Sequence, residues 1–417
     1  MAELSTPDAV RAEVQSWLEQ AWDPELELTA WRSRLVDARW AMPSWPERWF
    51  GRGLPSWADR IVADELRAHG AVGNPIGAGM GLAAPTLLEH ADDELLARLL
   101  RPTLIGDLRW CQLFSEPGAG SDLASASTRA RLDGDEWVID GQKLWTTSAH
   151  DADLGLLLAR TDPLAPKHHG LSYFVLPMRQ PGVEVRPIRQ MNRHSSFNEV
   201  FLTEATIPVD LLVGQLGDGW RIARTTLLHE RSFATLRPPR RAQPGEWTGL
   251  AVQQADAEAA EHSATYVWYP QRAGRADLAI DHARLRNRQH DPLVRQEIAR
   301  LLSFVRASEW TAARAAASRA LGRAPGPEGS LGKLAASEVA RRANALHSRL
   351  AGAAAMLDGT DLNSTNLNST NLSALDRTVA EIIVSTPAQS IAGGTDEIQK
   401  NILGERILGL PKQPTTN

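Results

Sequence analysis

Residues Trp110 to Asp122 read W-C-Q-L-F-S-E-P-G-A-G-S-D, and the fold turns on how this stretch is read. An apolar-leaning run ends in Ser115. An acid, a proline and two glycines separated by one alanine follow, and Ser121 and Asp122 close it. Pro117 fixes one φ angle and donates no backbone hydrogen bond. Gly118 and Gly120 permit positive φ and close approach to the backbone. Successive turn amides form a concavity suited to anionic or carbonyl oxygens. A plain tight turn after a strand satisfies the same pattern, so the surrounding chain has to separate the two readings.

The 417 residues are enough for two or three domains. A formal net charge of −5 and the lack of any block of like charges argue against nucleic-acid or polybasic membrane partners. Cys111 is the single cysteine, which excludes an internal disulfide and a Cys-rich metal site. The stretch MAELSTPDAVRAEVQSWLEQAW is acidic and helical, without a signal core, and no run reaches membrane-spanning length. The expectation is a cytoplasmic protein with no metal.

Downstream of the opening stretch, from Thr128 to Val200, the apolar period shortens toward two. Asp133-Gly134-Asp135 reads as a hairpin turn. Strand candidates are Leu154 to Leu158, Leu171 to Leu176, Val183 to Ile188 and Glu199 to Leu202. Six or so short strands predict a small antiparallel sandwich or barrel. Upstream, Ser5-Thr6-Pro7 starts a helix carrying Val10, Val14, Trp17 and Leu18, Ser56 opens a second that ends at Gly70, and the leucines from Leu87 to Leu100 suggest one or two more. After Pro208 the pattern is helical again, with Glu297 to Leu321 and Gly332 to Ala355 rich in Ala, Leu and Arg. Leu362 to Leu372 repeats L-N-S-T-N, a polar period of five that fits neither helix nor strand and reads as a loop or insertion. The fold class is thus α+β multidomain: a helical domain at 1–109, an antiparallel β domain at 110–215 and a helical bundle at 216–417.

In this order, four motifs resemble the acyl-CoA dehydrogenase family of flavoenzymes. They are L-F-S-E-P-G-A-G-S-D (113–122), D-G-Q-K-L-W-T-T-S (140–148), F-N-E-V-F-L-T-E-A-T-I-P (197–208) and G-G-T-D-E-I-Q-K-N-I-L-G-E-R-I-L-G-L-P (393–411). The resemblance implies FAD, an acyl-CoA substrate, an electron-transfer flavoprotein as acceptor and a homo-oligomer (dimer or tetramer) or hetero-oligomer. It also implies a reaction in which a carboxylate takes the α-proton while flavin N5 takes a hydride from the β-carbon, giving a trans-2-enoyl-CoA. The cofactor would carry the redox chemistry and the protein the geometry.

By the same resemblance, Ser115 hydrogen-bonds the flavin ring, and Gly120 and Ser121 lie near flavin phosphate and substrate. Trp145 packs on the ring, a natural use of an aromatic plane, and Thr147 sits near N5. Thr395, Asp396 and Glu397 match a flavin-contacting segment that is equally a helix N-terminus with its cap and acids. Gly393 and Gly394 border the substrate. Many members carry the catalytic glutamate where this chain has Gly393, which accepts no proton. The second family location, directly before an arginine on a helix after the β domain, holds Leu228-His229-Glu230-Arg231. Glu230 is therefore the expected base, Arg231 a helix- and pocket-steadying residue and His229 structural or pocket-lining.

Two departures stand out. The family's R-x-x-F-G segment is replaced by Arg286-Asn287-Arg288-Gln289-His290-Asp291-Pro292, and Pro238, Pro239 and Pro244 interrupt a region that is usually one long helix. The alternatives are a flavin-dependent oxidase or tailoring enzyme on an acyl thioester, and a non-catalytic subunit of a hetero-oligomer.

Overall fold

The computed structural model describes residues 6–235, 247–320, 326–356 and 374–412. The Leu362–Leu372 repeat and the prolines at 238, 239 and 244 lie outside the described residues. The chain divides into two compact units. One spans residues 1–188 and 195–265, the other 189–194 and 266–417.

The first unit begins with α1 (Pro7–Ala21), α2 (Leu28–Asp37), α3 (Trp57–Ala68), α4 (Ala84–His90) and α5 (Asp93–Ile105). The Thr6 hydroxyl accepts from the Ala9 N–H and Pro7 occupies the first turn, so α1 starts where the sequence indicates. Asp92 caps α5 in the same way, and Gly106 closes it at φ 90°. Val10, Val14 and Leu18 form one stripe of α1 and join Trp31, Leu35, Val62 and Leu66 in the core. A π-helical turn at Gly79–Ala83 leads into α4, an irregularity the sequence periodicity does not signal.

Eight strands follow: β1 (Trp110–Leu113), β2 (Arg129–Asp133), β3 (Glu136–Thr147), β4 (Leu154–Arg160), β5 (Leu171–Pro177), β6 (Val183–Ile188), β7 (Phe197–Pro208) and β8 (Leu212–Val213). Their order is β6-β7-β3-β2-β4-β5-β8, with β1 paired to β4. The sheet is mixed, which corrects the antiparallel expectation: β1 runs parallel to β4, and β2 meets β4 in parallel at Arg129 and Arg160. The physical reason lies in the connection. After β1 the chain passes through the Gly-rich turn and the whole β2–β3 hairpin before β4, and that length allows a parallel return.

Among the described residues the unit continues with α6 (Gly219–Thr235) and α7 (Leu250–Thr265). α7 is fastened to the N-terminal helices by polar contacts. The N–H groups of Leu28 and Ile76 donate to the side chains of Gln254 and Glu258, and Arg32 pairs with Glu258 at 2.8 Å.

The second unit is helical: α8 (Tyr269–Arg272), α9 (Ala279–Leu285), α10 (Pro292–Ala320), α11 (Glu328–Ala351), α12 (Ala374–Ser385), α13 (Pro387–Ile391) and α14 (Asp396–Arg406). Ala279, Ala283, Val294, Leu301, Ala343, Leu346 and Leu350 form its core. α10 starts earlier than its composition suggests, because Asp291 accepts from the Leu293 N–H and supplies the start signal. His282 and His347 lie buried here with their Nδ1 atoms 3.0 Å apart, and burial pushes His282 down to about 4, so it is neutral at physiological pH.

Candidate active site

The Gly-rich turn is held from inside the sheet. Glu116 and Ala119 exchange both backbone hydrogen bonds, at 2.9 and 3.1 Å, closing Pro117 and Gly118 into a tight turn. The Glu116 carboxylate points inward and accepts from the Ser127 N–H and hydroxyl and from the Thr128 N–H. Lys143 Nζ reaches it at 2.7 Å and also donates to the carbonyls of Phe114 and Leu158, so all three ammonium protons have acceptors. Burial pushes the Glu116 carboxyl up, but Lys143 and the surrounding donors outweigh it and hold it at about 2. Burial draws Lys143 down to about 8, which leaves it charged at neutral pH.

Of the two properties expected of the turn glycines, positive φ is not used. Gly118 and Gly120 are absent from the positive-φ glycines, and a Cβ built on either meets nothing within 4 Å. The chain itself therefore does not require glycine at these points. Bare backbone at 118 and 120 leaves room for something outside the polypeptide, and Gly120 and Ser121 are both exposed.

Opposite the end of β1, β3 is bulged. Its pairing with β7 shifts register between Lys143 and Thr146, and Trp145 sits in the irregularity at φ 62°. A bulky side chain in the left-handed region costs about 1–2 kcal/mol. The indole gains little burial in return: it is 52% exposed, touching the Phe197 ring edge-on at 5.8 Å. The Leu144 N–H donates to the Ser115 carbonyl at 2.8 Å, tying the end of β1 to this bulge. Ser115 and Thr147 are both half-buried.

α6 is docked by a buried hydroxyl cluster. Thr226 donates to the Ile222 carbonyl, accepts from Thr86 at 3.1 Å and meets the Tyr173 hydroxyl at 2.9 Å. One turn further along, half-buried Glu230 lies against Gln112 of β1, whose Nε2 is 3.4 Å from Glu230 Oε2. His229 pairs with Glu89 of α4 at 2.9 Å, in keeping with a structural part. The Arg231 side chain lies outside the described residues.

In the second unit, Gly393 and Gly394 are exposed at φ 69° and 84°. Thr395 caps α14 by accepting from the Ile398 N–H at 3.2 Å. Asp396 is buried and paired with Lys333 and Arg341, which with Ser337 hold its carboxyl at about 2 against the upward push of burial. Its carboxylate is committed to the fold, and of the two acids Glu397 is the exposed one. Arg286, from the segment replacing R-x-x-F-G, is also committed, bonding Asp376 at 2.7 Å.

The family descriptions for the acyl-CoA dehydrogenase middle domain and C-terminal domain match residues 111–204 and 248–408. Over 388 residues the chain is 36% identical to acyl-CoA dehydrogenase IpdE1 of Mycobacterium tuberculosis, covering 93% of this chain and 89% of the relative. The chain belongs to the acyl-CoA dehydrogenase family. Family members are FAD-dependent oxidoreductases. A second relative, acyl-CoA dehydrogenase FadE34 of the same organism, is 36% identical across 91% of this chain, yet the chain spans only 46% of FadE34. Among solved structures, the ChsE4-ChsE5 complex from Mycobacterium tuberculosis shares the fold, with a TM-score of 0.60, 24% identity and coverage of 99% and 100% of the two chains.

The acyl-CoA dehydrogenase residues of the first unit fit a flavin. The half-exposed indole of Trp145, raised by a bulge, offers a plane for an isoalloxazine; half-buried Thr147 follows it at the end of β3, and half-buried Ser115, just past the end of β1, is tied to the bulge through the Leu144 N–H. No described helix is long and apolar enough to cross a membrane, and no cluster of metal-ligating side chains occurs among the described residues.

Three residues escaped the sequence reading. Glu116 was read only as an acid in a turn, and Lys143 and Gln112 carried no role. A signal for Lys143 was present: Trp137, Ile139 and Lys143 share the inward phase of β3, so a lysine there is buried and needs an acid. Gln112 carried no such signal, because its partner is distant in sequence.

Proposed function

We propose that this chain carries out the FAD-dependent α,β-dehydrogenation of an acyl-CoA thioester to a trans-2-enoyl-CoA, with Glu230 as the base. The observation that carries this reading is the contact between Glu230 and Gln112. It sets a half-buried carboxylate against β1, the strand that ends at Leu113, two residues before Ser115. A base has to reach its proton before its strength matters, and this one projects from a helix locked by Thr226.

Ser115, Trp145 and Thr147 would hold the flavin ring, and Gly120 and Ser121 its phosphate and the substrate. Thr395 and Glu397 would contact flavin, as the family resemblance implies, with Asp396 bracing their helix. Arg231, Gly393 and Gly394 would border the substrate. FAD, when bound, supplies the acceptor for the β-hydrogen and its electron pair. Glu230 takes the α-proton. Gly393, at φ 69°, suits glycine and offers no competing carboxylate.

We propose an electron-transfer flavoprotein as the acceptor and the cytoplasm as the location. An anaerobic panel of butanoyl-, isobutanoyl-, octanoyl- and cyclohexylpropanoyl-CoA, followed by loss of flavin absorbance, tests the reading. Bleaching by any member supports it. A chain that binds FAD and is bleached by none contradicts it.

A second reading, a subunit of a hetero-oligomer, draws on Arg286. With its guanidinium bonded to Asp376, this segment is poorly placed to reach a neighbour's flavin, and a chain of this fold is found in the ChsE4-ChsE5 complex. A purified chain that is colourless and takes up no FAD alone would favour it.

A further inference from the structure

We infer that Gln112 is a positioning residue for Glu230, selecting the side-chain rotamer from which the carboxylate reaches the α-proton. This rests on the reading of Glu230 as the base.

Ile222, Thr226 and Glu230 follow one another at four-residue spacing and so lie on one face of α6. Ile222 and Thr226 are fully buried. The Thr226 hydroxyl has one proton and two lone pairs, and all are used, by the Ile222 carbonyl, Thr86 and Tyr173. His90 adds a contact to Thr225 at 2.8 Å. These bonds act on the helix backbone, and the rotatable bonds of the Glu230 side chain are reached only by groups that touch it, as Gln112 does. Gln112 is suited to set them. It stands on β1, whose backbone is registered against β4 with Gln112 opposite Leu156. Cys111 and Leu113 beside it are buried, so its strand cannot shift easily.

The chemistry of an amide explains why glutamine serves here. It donates to a carboxylate without adding positive charge, so it opposes protonation of the base less than a lysine or arginine at this position would. After Glu230 has taken a proton it becomes a donor, and a rotated amide can then accept through its oxygen. One side chain thus accommodates both states of the base. The present separation of 3.4 Å is long for a hydrogen bond and suits a pair that tightens when substrate excludes water.

The test is Gln112→Leu, which keeps approximate size and removes the amide, beside Glu230→Gln in the full chain with FAD. The probe is the panel acyl-CoA that bleaches the wild-type flavin fastest, unlabelled, α-deuterated or β-deuterated. Expected for Gln112→Leu are wild-type flavin content and unfolding midpoint, an unchanged KM, and kcat lower by about tenfold to a hundredfold. The α-deuterium isotope effect on bleaching should grow while the β-deuterium effect does not. Gln112→Asn, a shorter donor, should recover part of the rate. Wild-type kcat and isotope effects in Gln112→Leu, with Glu230→Gln inactive, would overturn the positioning role and leave the base reading standing. Loss of flavin from Gln112→Leu would overturn it in favour of a cofactor contact. Bleaching retained by Glu230→Gln, or a panel that bleaches nothing, would remove both.

Discussion

Lys143 Nζ stands 2.7 Å from Glu116 Oε1 inside the sheet, with side-chain exposures of 0% and 4%. This pair joins two of the motifs that identify the family, the Gly-rich turn and the strand carrying Trp145. Removing one partner leaves an uncompensated buried charge, at a cost of about 3–5 kcal/mol. Glu116→Gln should therefore lower stability by that amount in denaturant titrations. A loss under about 1 kcal/mol would mean that the pair does not hold the turn.

Acid should unfold the protein through the same carboxylate. The folded-state value of Glu116, about 2, lies below its ordinary 4.5. A group depressed on folding stabilises fully above its unfolded value and loses that contribution as pH falls through the folded value. Glu116 should thus contribute about 3 kcal/mol at neutral pH, lost between pH 4.5 and about 2. Asp396, also held at about 2, gives the second unit the same sign of dependence. Thermal unfolding midpoints across this range should fall steeply in the wild type and less steeply in Glu116→Gln.

Much of this fold was legible because local patterns agree with the global structure. Thr6 with Pro7, the Asp133-Gly134-Asp135 hairpin and the alternation along β3 each carry their own physical signal. Strand direction was not legible, since the parallel pairing of β1 with β4 depends on contacts across some forty residues. For the site, Trp145 and Glu230 were reached through motif resemblance, whereas Gln112 needed α6 folded over β1. At glycines 118 and 120 the structure displays open surroundings and not positive φ, so one of the two properties read from the sequence goes unused.

Trp145 offers a separation of stability from function. Its left-handed backbone costs about 1–2 kcal/mol, while its indole is half exposed. Trp145→Gly should leave apoprotein stability within about 1 kcal/mol of wild type although it deletes a large aromatic. FAD affinity should fall at least about tenfold, measured by flavin fluorescence titration. A destabilised apoprotein with unchanged FAD affinity would make Trp145 an ordinary packing residue.

Thr226→Val should disturb Glu230 without touching it. The substitution leaves the buried Tyr173 and Thr86 hydroxyls without their shared partner, at a cost of about 1–3 kcal/mol. Calorimetry reads the stability loss, and single-turnover bleaching reads the rate. Both should fall together, and a stability loss with a wild-type rate would show that α6 tolerates movement at this point.

The central claim is that Glu230 takes the proton while other residues hold the flavin. Its most direct test is anaerobic mixing of Glu230→Gln with the acyl-CoA that bleaches the wild type. The expected result is an enzyme that keeps its full FAD complement and bleaches at least about a hundredfold more slowly. Bleaching at the wild-type rate would contradict the claim and place the base elsewhere.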